Sequence, residues 1–405
     1  MNKFLTSIVT TIILLSYITG LMSIISTIDT SIPISTCMNI DSPGYYYLTI
    51  DLSGVQDIYN YCIGIYADDV VLDGRGYSVI GNYSGYGIYV HERRSVVIEN
   101  INIIGYYGGV DVYNSSNITI ENVIVNSSKL FGIHLSQSNS NIIRKVTVSY
   151  SDNYGVFLEK SSSNIIDDVI ASNNSESGLK IIESNNNFIT NILVTNIVGW
   201  GVHIAYSNSN IVLNATVTNS EGSGVALVES SNNTIANSTL SNNRYGVFLR
   251  DSIGNIIVNN TVISNELGVS IYNSSNNLIY NNYFKNTRNI LIEISKHNTW
   301  NIAKIKGENI IGGGYLGGNY WGSLDERGFS DTCSDRDNDG ICDESFVIDE
   351  NNIDQYPLKP IQQISTTTPI QTPTLTPLPV STIVIGAILA MLIIIILIAI
   401  RKIRR

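Results

Sequence analysis

YGVFLEKSSSNII at residues 154–166 returns as YGVFLRDSIGNII at residues 245–257. A glycine followed by an apolar, any, apolar triplet recurs all along the middle of the chain. The glycines are Gly64, Gly87, Gly109, Gly132, Gly155, Gly178, Gly201, Gly224, Gly246 and Gly268, spaced 22 or 23 residues apart, so the echo is four periods of one array. A fixed period of this size marks a solenoid, in which each unit leans on its neighbours to bury its apolar side. Within a unit, for example GVHIAYSNSNIVLNATVTNS from Gly201, short β-branched runs alternate apolar with polar, which is strand periodicity. Three runs fit once the Ser, Asn and Gly turns are set aside. The unit reads as one coil of a parallel β-helix. A leucine-rich repeat of similar period would need a Leu-rich consensus and a helical segment, and neither is present.

Asparagine repeats with the glycines. Asn117, Asn141, Asn164, Asn187, Asn210, Asn233, Asn255 and Asn277 hold one position of the unit, and Asn191, Asn214, Asn237, Asn259 and Asn281 hold another. Coils stacked about 4.8 Å apart bring identical amides into hydrogen-bonding register, which predicts structural ladders. All eight prolines lie at or before Pro43 or at or after Pro357, as expected if every strand between them is paired on both sides. Val156, Leu158 and Ile166 are predicted to face inward.

The expected organisation is a signal sequence or signal anchor at 1–28, an N-terminal cap at 37–62, helix repeats at 63–300 and a C-terminal cap at 301–358. A Thr/Pro-rich stalk at 359–381, a transmembrane helix at 382–400 and a basic cytoplasmic tail at 401–405 follow. The last two rest on TIVIGAILAMLIIIILIAI followed by RKIRR, a long apolar run with a stop-transfer cluster. They predict a membrane protein with a single C-terminal span and an extracellular helix. The four cysteines, Cys37, Cys62, Cys333 and Cys342, suit an outside location. Local pairing is natural, although three connectivities remain open. The net charge of −11 argues against nucleic acid as a partner. Ten N-x-S/T sequons suggest a glycoprotein, with Asn214 and Asn237 set aside as ladder members.

The sharpest local motif is DRDNDGICDE. Asp335, Asp337 and Asp339 alternate, Gly340 permits a sharp turn, the Ile341 carbonyl follows, and Asp343 stands ninth, a pattern of hard oxygen donors suited to a structural calcium ion. Phe346 replaces the bidentate Glu of an EF-hand, leaving Asp331, Asp349 or Asp354 to complete the shell. From this loop the stretch GGNYWGSLDERGFSDTCSDRDNDGICDESFVIDENNIDQYPL, with VVLDGRGYSVIG near the start, resembles archaeal cell-surface β-helix proteins of the NosD-like, or carbohydrate-binding and sugar-hydrolase (CASH), group. The resemblance covers roughly residues 40 to 358. It implies an all-β, right-handed parallel β-helix with PbH1-type repeats on a cell surface. A NosD-like copper role is disfavoured, because His91, His134, His203 and His297 are scattered, so no copper is expected.

The residue two after each glycine is predicted to point outward. This gives a ligand-binding face of Tyr66, Tyr89, Phe157, His203 and Phe248, with Asp111, His134, Glu159 and Lys180 as the weaker catalytic candidates. Two functions remain. One is a non-catalytic surface role, binding envelope polysaccharide or surface-layer proteins. The other is a polysaccharide lyase, epimerase or hydrolase that uses those four residues as acid, base and charge neutraliser.

Overall fold

The computed structural model of the chain describes residues 31–55 and 60–360. Coil after coil stacks in parallel register. In the coil of the quoted stretch, strand Tyr154–Glu159 pairs with Phe131–Ser136 below and Ser177–Ile182 above. The next strand, Ile165–Ser172, pairs in the same sense. The first side of every coil joins a twelve-stranded parallel sheet, and the remaining sides belong to a twenty-stranded one. Val156, Leu158 and Ile166 are fully buried, within one Ile/Val/Leu core that runs the length of the helix.

Corners are set by left-handed backbone. Asn191, Asn214, Asn237, Asn259 and Asn281 all have φ between 52° and 57°, a region that Asn tolerates better than other residues with a Cβ. Between Asn191 and Leu193 the chain turns from one strand to the next. This second asparagine column suits its backbone, and it also carries amide–amide contacts of the expected kind, Asn214 Nδ2 donating to Asn191 Oδ1 and Asn281 Nδ2 to Asn259 Oδ1. Asn214 and Asn237 are exposed, so the reason for setting aside their sequons does not hold.

The first column is a true ladder. The N–H and Nδ2 of Asn164 both donate to Asn187 Oδ1 (2.8 and 3.1 Å), and Asn187 does the same to Asn210. Each Nδ2 from Asn210 onward also donates back to a serine carbonyl, Ser184 O for Asn210. A serine ladder runs beside it, Ser161 N–H donating to Ser184 Oγ and Ser184 N–H to Ser207 Oγ. A further series climbs from Ser238 through Asn260 and Asn282 to Asn319. Asn117 stands outside, exposed and at φ 54°, and Ile118 holds its slot, donating to Asn141 Oδ1.

The ends differ from the middle. Met38–Ile40 pairs parallel with Tyr61–Ile65 and Gly44–Leu48 with Val70–Asp73, so the segment expected as a cap is built in as the first coil. Pro33 lies in Ser31–Ile34, which among the described residues pairs on one side only, an edge position where a missing N–H is tolerated. Cys37–Cys62 and Cys333–Cys342 disulfides tie the two ends. The upper end is plugged by Phe284, Trp300, Trp321 and Phe346. The buried Asp354 accepts hydrogen bonds there from Asn319 N–H (2.7 Å), Trp321 Nε1 (2.8 Å) and Tyr356 N–H (3.1 Å).

The expected membrane topology is corrected. Among the described residues no helix is long and apolar enough to cross a membrane; the longest strand has nine residues and the helix Phe329–Thr332 has four, against the twenty or so helical residues a span requires. A single C-terminal span with an extracellular helix is therefore not supported. Segments 1–28, 361–381, 382–400 and 401–405, which carried the expected signal, stalk, span and tail, lie outside the described residues.

Candidate functional site

The outer face of the twelve-stranded sheet is where side chains with chemistry gather. Two inward neighbours shape it. Val156 is buried, and a Cβ on Gly155 would also point inward, onto Asn174 and Ala171. Two successive residues thus face the core, and the residues on either side of the pair, Tyr154 and Phe157, both face out, with ring centroids 4.9 Å apart. Each coil therefore offers two outward columns near its glycine, one just before it and one two after. The earlier column (Tyr61, Tyr86, Phe131, Tyr154, Trp200, Tyr245) was not foreseen; its signal was the aromatic preceding five of the ten repeat glycines.

Rings from the two columns form a near-continuous strip. Tyr61 stacks on Tyr89 at 5.5 Å, Tyr89 on Tyr86 at 6.0 Å, and Tyr86 on Phe131 at 6.1 Å. Phe131 meets His134 at 4.6 Å, and His134 stacks on Phe157 at 4.7 Å. The Lys180 ammonium lies 4.7 Å from the Tyr154 ring centre, Trp200 packs on His203 at 4.2 Å, and Tyr245 on Phe248 at 5.7 Å. Tyr66 is the expected member that fails. In register, Gly64 sits opposite Tyr89 and Ile65 opposite Val90, so Tyr66 falls one column further on, beside His91 at 6.1 Å. Cys62, not Gly64, occupies the repeat-glycine position.

Of the four catalytic candidates, Asp111, His134 and Glu159 are neighbours, Lys180 stands apart two coils beyond His134, and each is engaged. His134 Nδ1 lies 3.0 Å from Asp111 Oδ1, while its Nε2 is buried without a hydrogen-bond partner, 3.9 Å from Glu159 Oε2. Lys180 donates to Glu176 (2.9 Å) and Tyr154 (3.3 Å); burial lowers its pKa, but these bonds outweigh that and hold it above the usual lysine value. Burial, and then Lys180, pushes the His203 imidazole down to about 4. Burial and Asp111 push the Tyr89 phenol up to about 12. The neutral His203 imidazole and the phenols, packed among rings, make a platform for stacking.

In the C-terminal loop, Asp335, Asp337 and Asp339 bring carboxylate oxygens within 4.8 Å of one another, a donor set that fits a hard divalent cation. Lys304 pairs with Asp339. Asp343 instead accepts from Arg336 Nε at 2.8 Å, and Ile341 is buried with its N–H on Asp339. None of the proposed completing residues is free. Asp331 caps Ser323 and Gly328 N–H groups, Asp349 holds Asn351 and Asn352, and Asp354 is sealed in the plug.

Fold and face together define a right-handed parallel β-helix protein with an aromatic outer strip. Residues 61–217 match the family model described as a right handed beta helix region, and residues 199–326 match that of periplasmic copper-binding protein (NosD). No curated protein matches the chain by sequence. Among solved structures it is similar to the A-module of the Azotobacter vinelandii mannuronan C-5 epimerase AlgE6 (TM-score 0.57, 17% identity, 63% of this chain and 83% of that one). The periplasmic alginate epimerase AlgG gives a TM-score of 0.51 at 15% identity over 64% and 80% of the two chains. The Dettilon tailspike protein gives 0.54 at 12% over 65% and 60%. At these identities the likeness is one of fold.

Proposed function

We propose that the chain binds glycans along the outer face of the twelve-stranded sheet and does not cleave them. The observation that carries this is the strip of rings from Tyr86 to Phe157, in which Tyr86, Tyr89, His134, Tyr154 and Phe157 are part-exposed around a buried Phe131, at a coil-to-coil spacing close to the length of one sugar residue. Solved relatives of the same fold named for action on alginate or mannuronan favour a carbohydrate ligand. Binding is favoured over turnover because the free nitrogen of His134 is covered and Lys180 is already held. In affinity electrophoresis of the full chain, Phe157→Ala and Trp200→Ala are each expected to weaken retention about five- to tenfold, the scale of one lost stacking contact. New reducing or unsaturated ends in the glycan, absent with His134→Ala, would instead establish the enzymatic alternative, with Asp111, His134 and Glu159 as its acid–base chain.

The loop Asp335, Asp337 and Asp339 is proposed to hold calcium, which on binding would displace Lys304 from Asp339. Asp335 and Asp339 also accept loop N–H groups, whereas Asp337 is exposed, so Asp337→Ala tests ligation without dismantling the loop. Calcium is expected to raise the melting temperature of the parent, and Asp337→Ala to abolish most of that rise. An unchanged melting temperature in the parent would refute the site.

A further inference from the structure

We infer that the glycan taken by this face is uncharged and not a polyuronate, an inference that rests on the glycan-binding reading above. From Gly108 to Tyr272, every described lysine and arginine on the face, or in the turns that lead into and out of its strands, has a carboxylate within 4.0 Å. Lys160 is matched by Glu183 one coil on, Lys180 by Glu176 and Arg250 by Asp251. Arg94, in the turn that leads out of Tyr86–His91, and Arg288, at the start of Arg288–Glu293, lie on coils outside this stretch, and the inference concerns the coils within it. Asp111, Glu159, Glu221 and Glu229 have no lysine or arginine against them among the described residues, so carboxylates are in excess.

A polyanion laid along these coils would meet like charge with no free cation to offset it. Repeated like-charge contacts across an interface cost several kcal/mol and slow the encounter as well. The remaining polar groups suit hydroxyls. His203 is neutral near pH 7 and so adds no positive charge to the face. The shared fold with enzymes of alginate and mannuronan therefore does not carry their substrate charge with it.

The test is native affinity electrophoresis of the full chain at low salt in gels containing dextran, soluble mannan, hydroxyethylcellulose, polymannuronate or polygalacturonate. Retardation by at least one neutral polymer is expected, with apparent affinity for either polyuronate about tenfold or more weaker. Stronger retardation by a polyuronate would overturn this inference and leave glycan binding standing. No retardation in any gel would overturn glycan binding and this inference with it. A Glu183→Lys, Glu229→Lys double variant, which frees Lys160 and adds two cations, is expected to gain polyuronate retardation while keeping that by the neutral polymer. Failure to gain it would show that charge is not what excludes the acidic chain.

Discussion

Asn210→Leu is expected to destabilise the helix by about 4–6 kcal/mol, the summed cost of stranding several buried polar groups. Asn210 Oδ1 serves both the N–H and the Nδ2 of Asn187, and its Nδ2 serves Ser184 O and Asn233 Oδ1. Leucine fills the volume and answers none of the four. Because solenoid stability is a sum over units and their interfaces, the loss should also split a single urea transition into two. Asn214→Gly is the control: Asn214 is exposed at φ 52°, a conformation glycine accepts freely, and a change below about 0.5 kcal/mol is expected. An Asn210→Leu protein within about 1 kcal/mol of the parent would mean the ladder adds little.

The second large effect is expected in the C-terminal plug. Asp354→Ala leaves the Asn319 and Tyr356 N–H groups and the Trp321 indole N–H without an acceptor, a loss of about 3–5 kcal/mol. Trp321 fluorescence should report it. Burial, opposed by those donated hydrogen bonds, pushes the Asp354 carboxyl up to about 7. The folded state then keeps a proton that the unfolded chain gives up near pH 4, so this contribution is complete below pH 4 and lost as pH rises through 7. The plug should be more stable at pH 5 than at pH 8 by up to about 2.5 kcal/mol, and Asp354→Ala should remove that slope. A parent whose stability is flat between pH 5 and 8 would refute the assignment.

The architecture was legible because its period is written in residues with few substitutes: glycine where the inner wall leaves no room for a Cβ, asparagine where an amide must both give and accept. What escaped reading was phase. Simple alternation from Val156 puts Tyr154 inside, and only the extra inward residue at Gly155 turns it out, which hid half of the aromatic strip. Likewise Gly64 is 23 residues before Gly87 and looked like a repeat member, yet Cys62 pairs in that place and Tyr66 shifts by a column. In the acidic loop the alternation of Asp335, Asp337 and Asp339 was a sound guide to convergence. The destination of Asp343 depended on Arg336, an exposed side chain whose partner no spacing rule specifies.

The polar series that climbs from Ser238 has a direction. Asn260 and Asn282 each send their donors to the next coil, and Asn319 sends its N–H to Asp354 Oδ2. Asp354 takes these bonds and, when ionised, has nothing to hand on. It behaves as a chain terminator in the sense of polymer chemistry. A stack of parallel strands is a template that invites another molecule to add to its open end, and above pH 7, where Asp354 is ionised, a rung without a donor, backed by the Trp300 and Trp321 rings, gives a second rod no growing point at that end.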